Sequence, residues 1–72
     1  MTDIITDTAG KVLDILKGPG DAVAAGETIL LIESMKMEIP IAADEAGTIA
    51  AVTVAKGDIV AEDDVVARLT HG

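Results

Sequence analysis

The chain has 72 residues, enough for one small domain, and it contains no cysteine and no aromatic residue. That composition excludes a disulfide framework, a thiolate metal site and aromatic base-stacking platforms, and it leaves Val, Ile, Leu, Met and Ala to build the core. Thirteen acids against five bases set the net charge at −8, the wrong sign for a partner that presents phosphates, whether nucleic acid or an anionic membrane surface.

Residues 1–8, MTDIITDT, lack the basic stretch and apolar block of a signal peptide. The longest apolar run, residues 29–32, is far too short to span a bilayer, so a soluble cytoplasmic protein is expected. Gly10 opens the first expected strand, KVLDIL (11–16). A Gly20-Asp21 turn, a short apolar touch at Val23 and a second turn at Gly26-Glu27 lead to TILLIE (28–33). Next comes ESMKMEIP (33–40), where Met35, Met37, Ile39 and Ile41 alternate with Lys36, Glu38, Pro40 and Ala42. That is period two, and Pro40 would break a helix, so MEIPIA (37–42) is a strand and residues 34–36 lie near a turn. Pro40 restricts this strand to an edge or to an outward-facing nitrogen. With neither Gly nor Asn, the turn type stays unassigned. Gly47 then opens TIAAVTV (48–54), followed by Gly57-Asp58, Val60, a turn at Asp63-Asp64 and DVVARL (64–69). Short β-branched runs with frequent turn signals predict an all-β sandwich or barrel.

The chain repeats itself. Shifted by 37 residues, AGKVLDILKGPGDAVA (9–24) lies without a gap over AGTIAAVTVAKGDIVA (46–61). Two copies are too few for a solenoid, so they are expected to form two half-sheets related by a pseudo-twofold axis. The turn near Asp63-Asp64 lacks the glycine of its counterpart, and an aspartate in the left-handed region is expected there instead. Lys17 falls on apolar Val54, a difference between the halves that the repeat leaves unexplained. Shifted by 37, Lys36 falls one residue past Gly72 in one direction and just before Met1 in the other, which predicts the lysine tip and the termini at opposite ends of the domain.

Other constellations are thin. His71 is expected to be a solvated tail residue. Asp44-Glu45 and Glu62-Asp63-Asp64 form no calcium-loop pattern, so no metal is expected. Ser34 lacks a sequence-near histidine and the glycines of a nucleophile elbow. No enzyme is expected.

The run around Lys36 resembles the attachment motif of the biotinyl/lipoyl domain family, closest to thumbless biotin carboxyl carrier proteins. The resemblance takes in AGKV (9–12), GDAVAAGETILLIESMKMEIPIAAD (20–44), GTI (47–49) and KGDIV (56–60), nearly the whole chain. KGPG (17–20) runs directly into Asp21 without the insertion of thumbed members. The resemblance implies a single biotinyl domain over residues 1–72, a flattened β-barrel sandwich with the attachment lysine on a hairpin turn. It implies covalent biotin on Lys36, with Met35 and Met37 framing it and Glu33, Ser34 and Glu38 assisting ligase recognition. Serine at 34 departs from the alanine common in the family. Methionines in alternating strand positions are ordinarily core filler, and the resemblance instead makes Met35 and Met37 displayed residues. The implied partners are a biotin protein ligase, a biotin carboxylase and a carboxyltransferase, between which the carrier shuttles carboxyl groups, in a stand-alone chain or as part of a larger carboxylase. A lipoyl carrier, or a protein accepting both groups, is the chief alternative; Met35 and Met37 stand where lipoyl motifs place an aspartate and a small residue. An unmodified interaction module is the third reading. A lysine amine is mostly protonated at neutral pH, and no general base stands near Lys36 in sequence, so activation must come from the modifying enzyme. Lys11, Lys17 and Lys56 lack a comparable hairpin context.

Overall fold

The apolar runs pair into eight strands in the computed structural model, which describes residues 2–71. These are β1 (Thr2–Ile5), β2 (Gly10–Ile15), β3 (Ala22–Val23), β4 (Thr28–Ser34), β5 (Met37–Ala42), β6 (Gly47–Val52), β7 (Ile59–Val60) and β8 (Val65–Thr70). They make two four-stranded antiparallel sheets, ordered β1-β8-β6-β3 and β5-β4-β2-β7. The sheets form the walls of a flattened barrel sandwich measuring 36 × 18 × 17 Å. Among the described residues no helix is long and apolar enough to cross a membrane.

The 37-residue repeat is the symmetry of the fold. β2 maps onto β6, β3 onto β7, β4 onto β8, and β5, shifted back, onto β1. Register follows: Val12 pairs with Ile32 as Ile49 pairs with Leu69, and a bulge follows Val12 and Ile49 alike. The buried residues fall into seven pairs 37 apart: Ile4/Ile41, Thr6/Ala43, Val12/Ile49, Val23/Val60, Ile29/Val66, Leu30/Ala67 and Ile32/Leu69. Only Thr6 brings a polar group into this set. Its Oγ1 donates to the Thr8 carbonyl at 2.6 Å and accepts from the Thr8 N–H at 3.2 Å, so its burial leaves nothing unsatisfied.

The two halves exchange parts. β3 of the first half joins the sheet of the second, and β7 of the second joins the sheet of the first. Each Gly-Asp turn docks accordingly: Gly20 N donates to the Ile49 carbonyl at 2.8 Å, and Gly57 N to the Val12 carbonyl at 2.8 Å. The second turns are equivalent in shape but not in sequence. Gly26 has φ 84° and Asp63, in its place, φ 72°, as expected for an aspartate in the left-handed region. The side chains of Glu27 and Asp64 each accept the N–H three residues back, from Ala24 at 2.9 Å and Ala61 at 2.8 Å.

Two sequence-level gaps close here. Residues 1–8, read only for targeting, contain a strand that was not anticipated: β1 is the twin of β5. Lys17 departs from Val54 because it reaches Glu27, Nζ to Oε2 at 3.1 Å, whereas Val54 packs against the core. Glu27 therefore answers both the turn and the lysine.

Candidate functional site

β4 and β5 form a hairpin whose last pair is Ser34 opposite Met37, leaving Met35 and Lys36 as a two-residue loop. Both loop residues have positive φ, 53° and 65°, the signature of a type I′ turn, which usually takes Asn-Gly. A methionine and a lysine occupy the left-handed region at a steric cost of roughly 1–2 kcal/mol each. Pro40 sits on β5, an edge strand, where its missing N–H breaks no ladder.

The tip is exposed. Met35 is 92% and Met37 64% exposed, so neither fills the core, as ordinary strand methionines would. Lys36 is exposed between them, and Ser34 is half-buried beyond Ile32 on the core-facing side. Glu33 and Glu38 face each other directly across the hairpin, both exposed. The charged contacts among the described residues are the ion pairs Lys17–Glu27 and Arg68–Asp3 and a polar contact between His71 and Glu45, so Lys36, Glu33 and Glu38 take part in none. The base of the hairpin is fixed from β2. A Cβ on Gly10 would collide with the Glu33 carbonyl oxygen and approach Ile32 Cγ2 at 2.7 Å. Only glycine lets β2 lie this close to the end of β4.

The six residues singled out from the sequence, 33–38, thus form one contiguous protrusion. Two residues that the sequence did not place at the site join its base. Lys11 on β2 lies opposite Glu33, and Ile59 on β7 lies opposite Lys11, 77% exposed. A usable signal was the repeat itself, which sets Ile59 against Ala22.

Other candidates lie elsewhere. His71 is exposed, with Nε2 2.7 Å from Thr2 Oγ1 and 3.3 Å from Glu45 Oε1, so this solvated residue also has polar neighbours. Among the described residues no group of three or more His, Cys, Asp or Glu could hold a metal. A shallow, open groove between β1 and β5 is lined by Ile5, Asp7, residues 40–42 and Asp44 and does not include the turn. Glu45 follows the far end of β5 and touches both Thr2 and His71, so those two residues lie a strand's length from Lys36. Met1 and Gly72, the ends named in the symmetry expectation, lie outside the described residues.

The family model described as "Biotin-requiring enzyme", the biotin/lipoyl model, matches residues 1–69. The chain belongs to the biotin/lipoyl attachment family. Within that family it is 37% identical over 68 residues to the Mycobacterium leprae "Biotinylated protein TB7.3 homolog", covering 94% of this chain and 96% of that protein. It is 40% identical over 63 residues to the "Biotin/lipoyl attachment protein" of Bacillus subtilis, covering 88% and 86%. A 42% identical match takes in 83% of this chain but 8% of the human mitochondrial propionyl-CoA carboxylase alpha chain. Among solved structures, the Kluyveromyces lactis urea carboxylase superposes with a TM-score of 0.92 at 28% identity, over 96% of this chain and 6% of that one. The lipoyl domain of the Azotobacter vinelandii 2-oxoglutarate dehydrogenase complex superposes with a TM-score of 0.81 at 31% identity, over 100% and 99%. Like these attachment proteins, the chain is a carrier domain rather than a catalyst. The fold is common to biotinyl and lipoyl members, so the choice of group rests on the residues at the tip.

Proposed function

We propose that this chain is a biotin carrier, acting as one biotinyl domain over residues 1–72 and modified on Lys36. The observation that carries the reading is the tip: an exposed amine on a turn held in an unfavourable conformation, between two exposed methionines. Nothing beside it in the described structure would act as a general base, so the acyl group arrives activated. The neutral Nζ attacks the acyl carbon of a biotinyl adenylate held by a biotin protein ligase. The amide C–N bond forms, AMP leaves and the amine gives up a proton. Biotin, once attached, supplies the chemistry of taking up and releasing a carboxyl unit; the chain supplies position and reach. Met35 and Met37 frame the acceptor, while Glu33, Ser34 and Glu38 present it to the ligase. The loaded arm then serves a biotin carboxylase and a carboxyltransferase in the cytoplasm, at the raised effective concentration that a tether gives. Large carboxylases that contain a matching segment support those partners.

A second reading has one specific support, the similarity to a protein named for both groups and to a lipoyl domain: lipoate on the same lysine. Intact mass after incubation with ATP and a biotin protein ligase, or a lipoate ligase, separates the two. The expected result is one biotin amide per chain, abolished in Lys36→Arg. Retained biotin in that variant would move the acceptor elsewhere.

A further inference from the structure

The repeat supplies an internal comparison for every exposed position, since the same fold is built twice. On the outer face of the lysine-bearing sheet, Glu38, Glu33, Lys11 and Ile59 stand in one row, each directly opposite the next on β5, β4, β2 and β7. With strands about 4.8 Å apart, the row is about 14 Å long. The twins of Glu33, Lys11 and Ile59 on the other sheet are Thr70, Thr48 and Ala22, all small and neutral. The fold therefore requires neither charge nor bulk at these places. Two parts of the row are unfavourable for folding: Glu33 and Glu38 oppose like charges, which Lys11 on the other side of Glu33 only partly offsets, and Ile59 exposes an apolar side chain. Met35, Ile59 and Met37, at 92, 77 and 64%, are the most exposed large apolar residues described, ahead of Leu16 and Ile5. All three lie at the lysine end.

We propose that this row is the docking strip for the enzyme that acylates Lys36, with Ile59 as its apolar anchor and Glu33 and Glu38 meeting cationic groups. The occupant follows from reach. The row begins two residues from Lys36, and the side chain of an unmodified lysine is short, so an active site that engages the bare Nζ must close over the base of the hairpin. A partner that acts on the end of an extended arm has no such need. The inference rests on the acceptor role of Lys36, and its test is separable from that role.

The experiment is steady-state modification of the full chain by a purified biotin protein ligase with biotin and ATP. Ile59→Ala is expected to raise the KM for the chain about tenfold, with kcat and thermal midpoint unchanged. Ile59→Thr, which keeps the β-branch, should do likewise, and Ala22→Ile on the other sheet should change nothing. A KM within twofold of the parent for folded Ile59→Ala and Ile59→Thr overturns the docking strip, even where Lys36→Arg abolishes modification. If the parent chain accepts only lipoate, the same comparison with a lipoate ligase decides in the same way. A chain modified by neither ligase overturns the strip together with the acceptor role.

Discussion

Met35 and Lys36 occupy backbone conformations that their side chains disfavour, and nothing in the sheet requires those side chains there. Replacing them by the pair that a type I′ turn prefers, Met35→Asn with Lys36→Gly, should stabilise the domain by about 1–3 kcal/mol. In a domain of this size that raises the thermal midpoint by several degrees, while the proposed acceptor is lost. Melting of the double variant checks this; an unchanged or lowered midpoint would show that the turn carries no strain. The turn type was hidden from sequence reading for the same reason, since neither residue advertises positive φ. The exposure of Met35 and Met37 was hidden too: alternation places Met37 on the core-facing side, and only the three-dimensional end of the core leaves it uncovered.

Strands and turns carry two further predictions. Gly10 and Gly47 are twins, each pressed against the end of its neighbouring strand. The Cβ of an alanine at 47 would collide with the Thr70 carbonyl oxygen and approach Leu69 Cγ at 2.9 Å. Gly10→Ala and Gly47→Ala should each destabilise the domain by about 1–3 kcal/mol, read as lowered urea midpoints of similar size. A harmless change at one position would contradict the equivalence of the two sheets. The turn at Glu27 adds a pH dependence. Its carboxylate is held below the usual glutamate range by the Ala24 N–H first and by Lys17 second. A depressed carboxylate contributes its stability in full above the unfolded value and loses it as pH falls through the folded value. The stability difference between the parent and Glu27→Gln should therefore be present at neutral pH and disappear in acid, below the ordinary glutamate range. Denaturant midpoints across pH measure it, and a difference that persists unchanged in acid would refute it. Most strands were legible from β-branched runs between glycine and aspartate, and their observed limits differ by only a residue or two. β1 was not, because four residues with one acid are too short to show alternation.

At the level of the domain, the repeat was the most informative thing in the sequence. It anticipated two related halves, and the pairing of every buried residue with one 37 away follows it. What it could not reveal was the exchange of β3 and β7, because strand order depends on contacts between halves that no local pattern encodes. Ile59 was missed although the repeat sets it on Ala22 and sets Val60 on Val23; pairing with β2 then leaves Ile59 outside and Val60 in the core.

The same symmetry bears on stoichiometry. β8 and β1 are the twins of β4 and β5, and they are paired side by side, but among the described residues no turn joins them. A fold with two equivalent corners therefore offers one loop at which a group can be mounted. With the proposed attachment at Lys36, each copy of the domain carries one load, and occupancy counts as a simple fraction of molecules rather than as a distribution over sites.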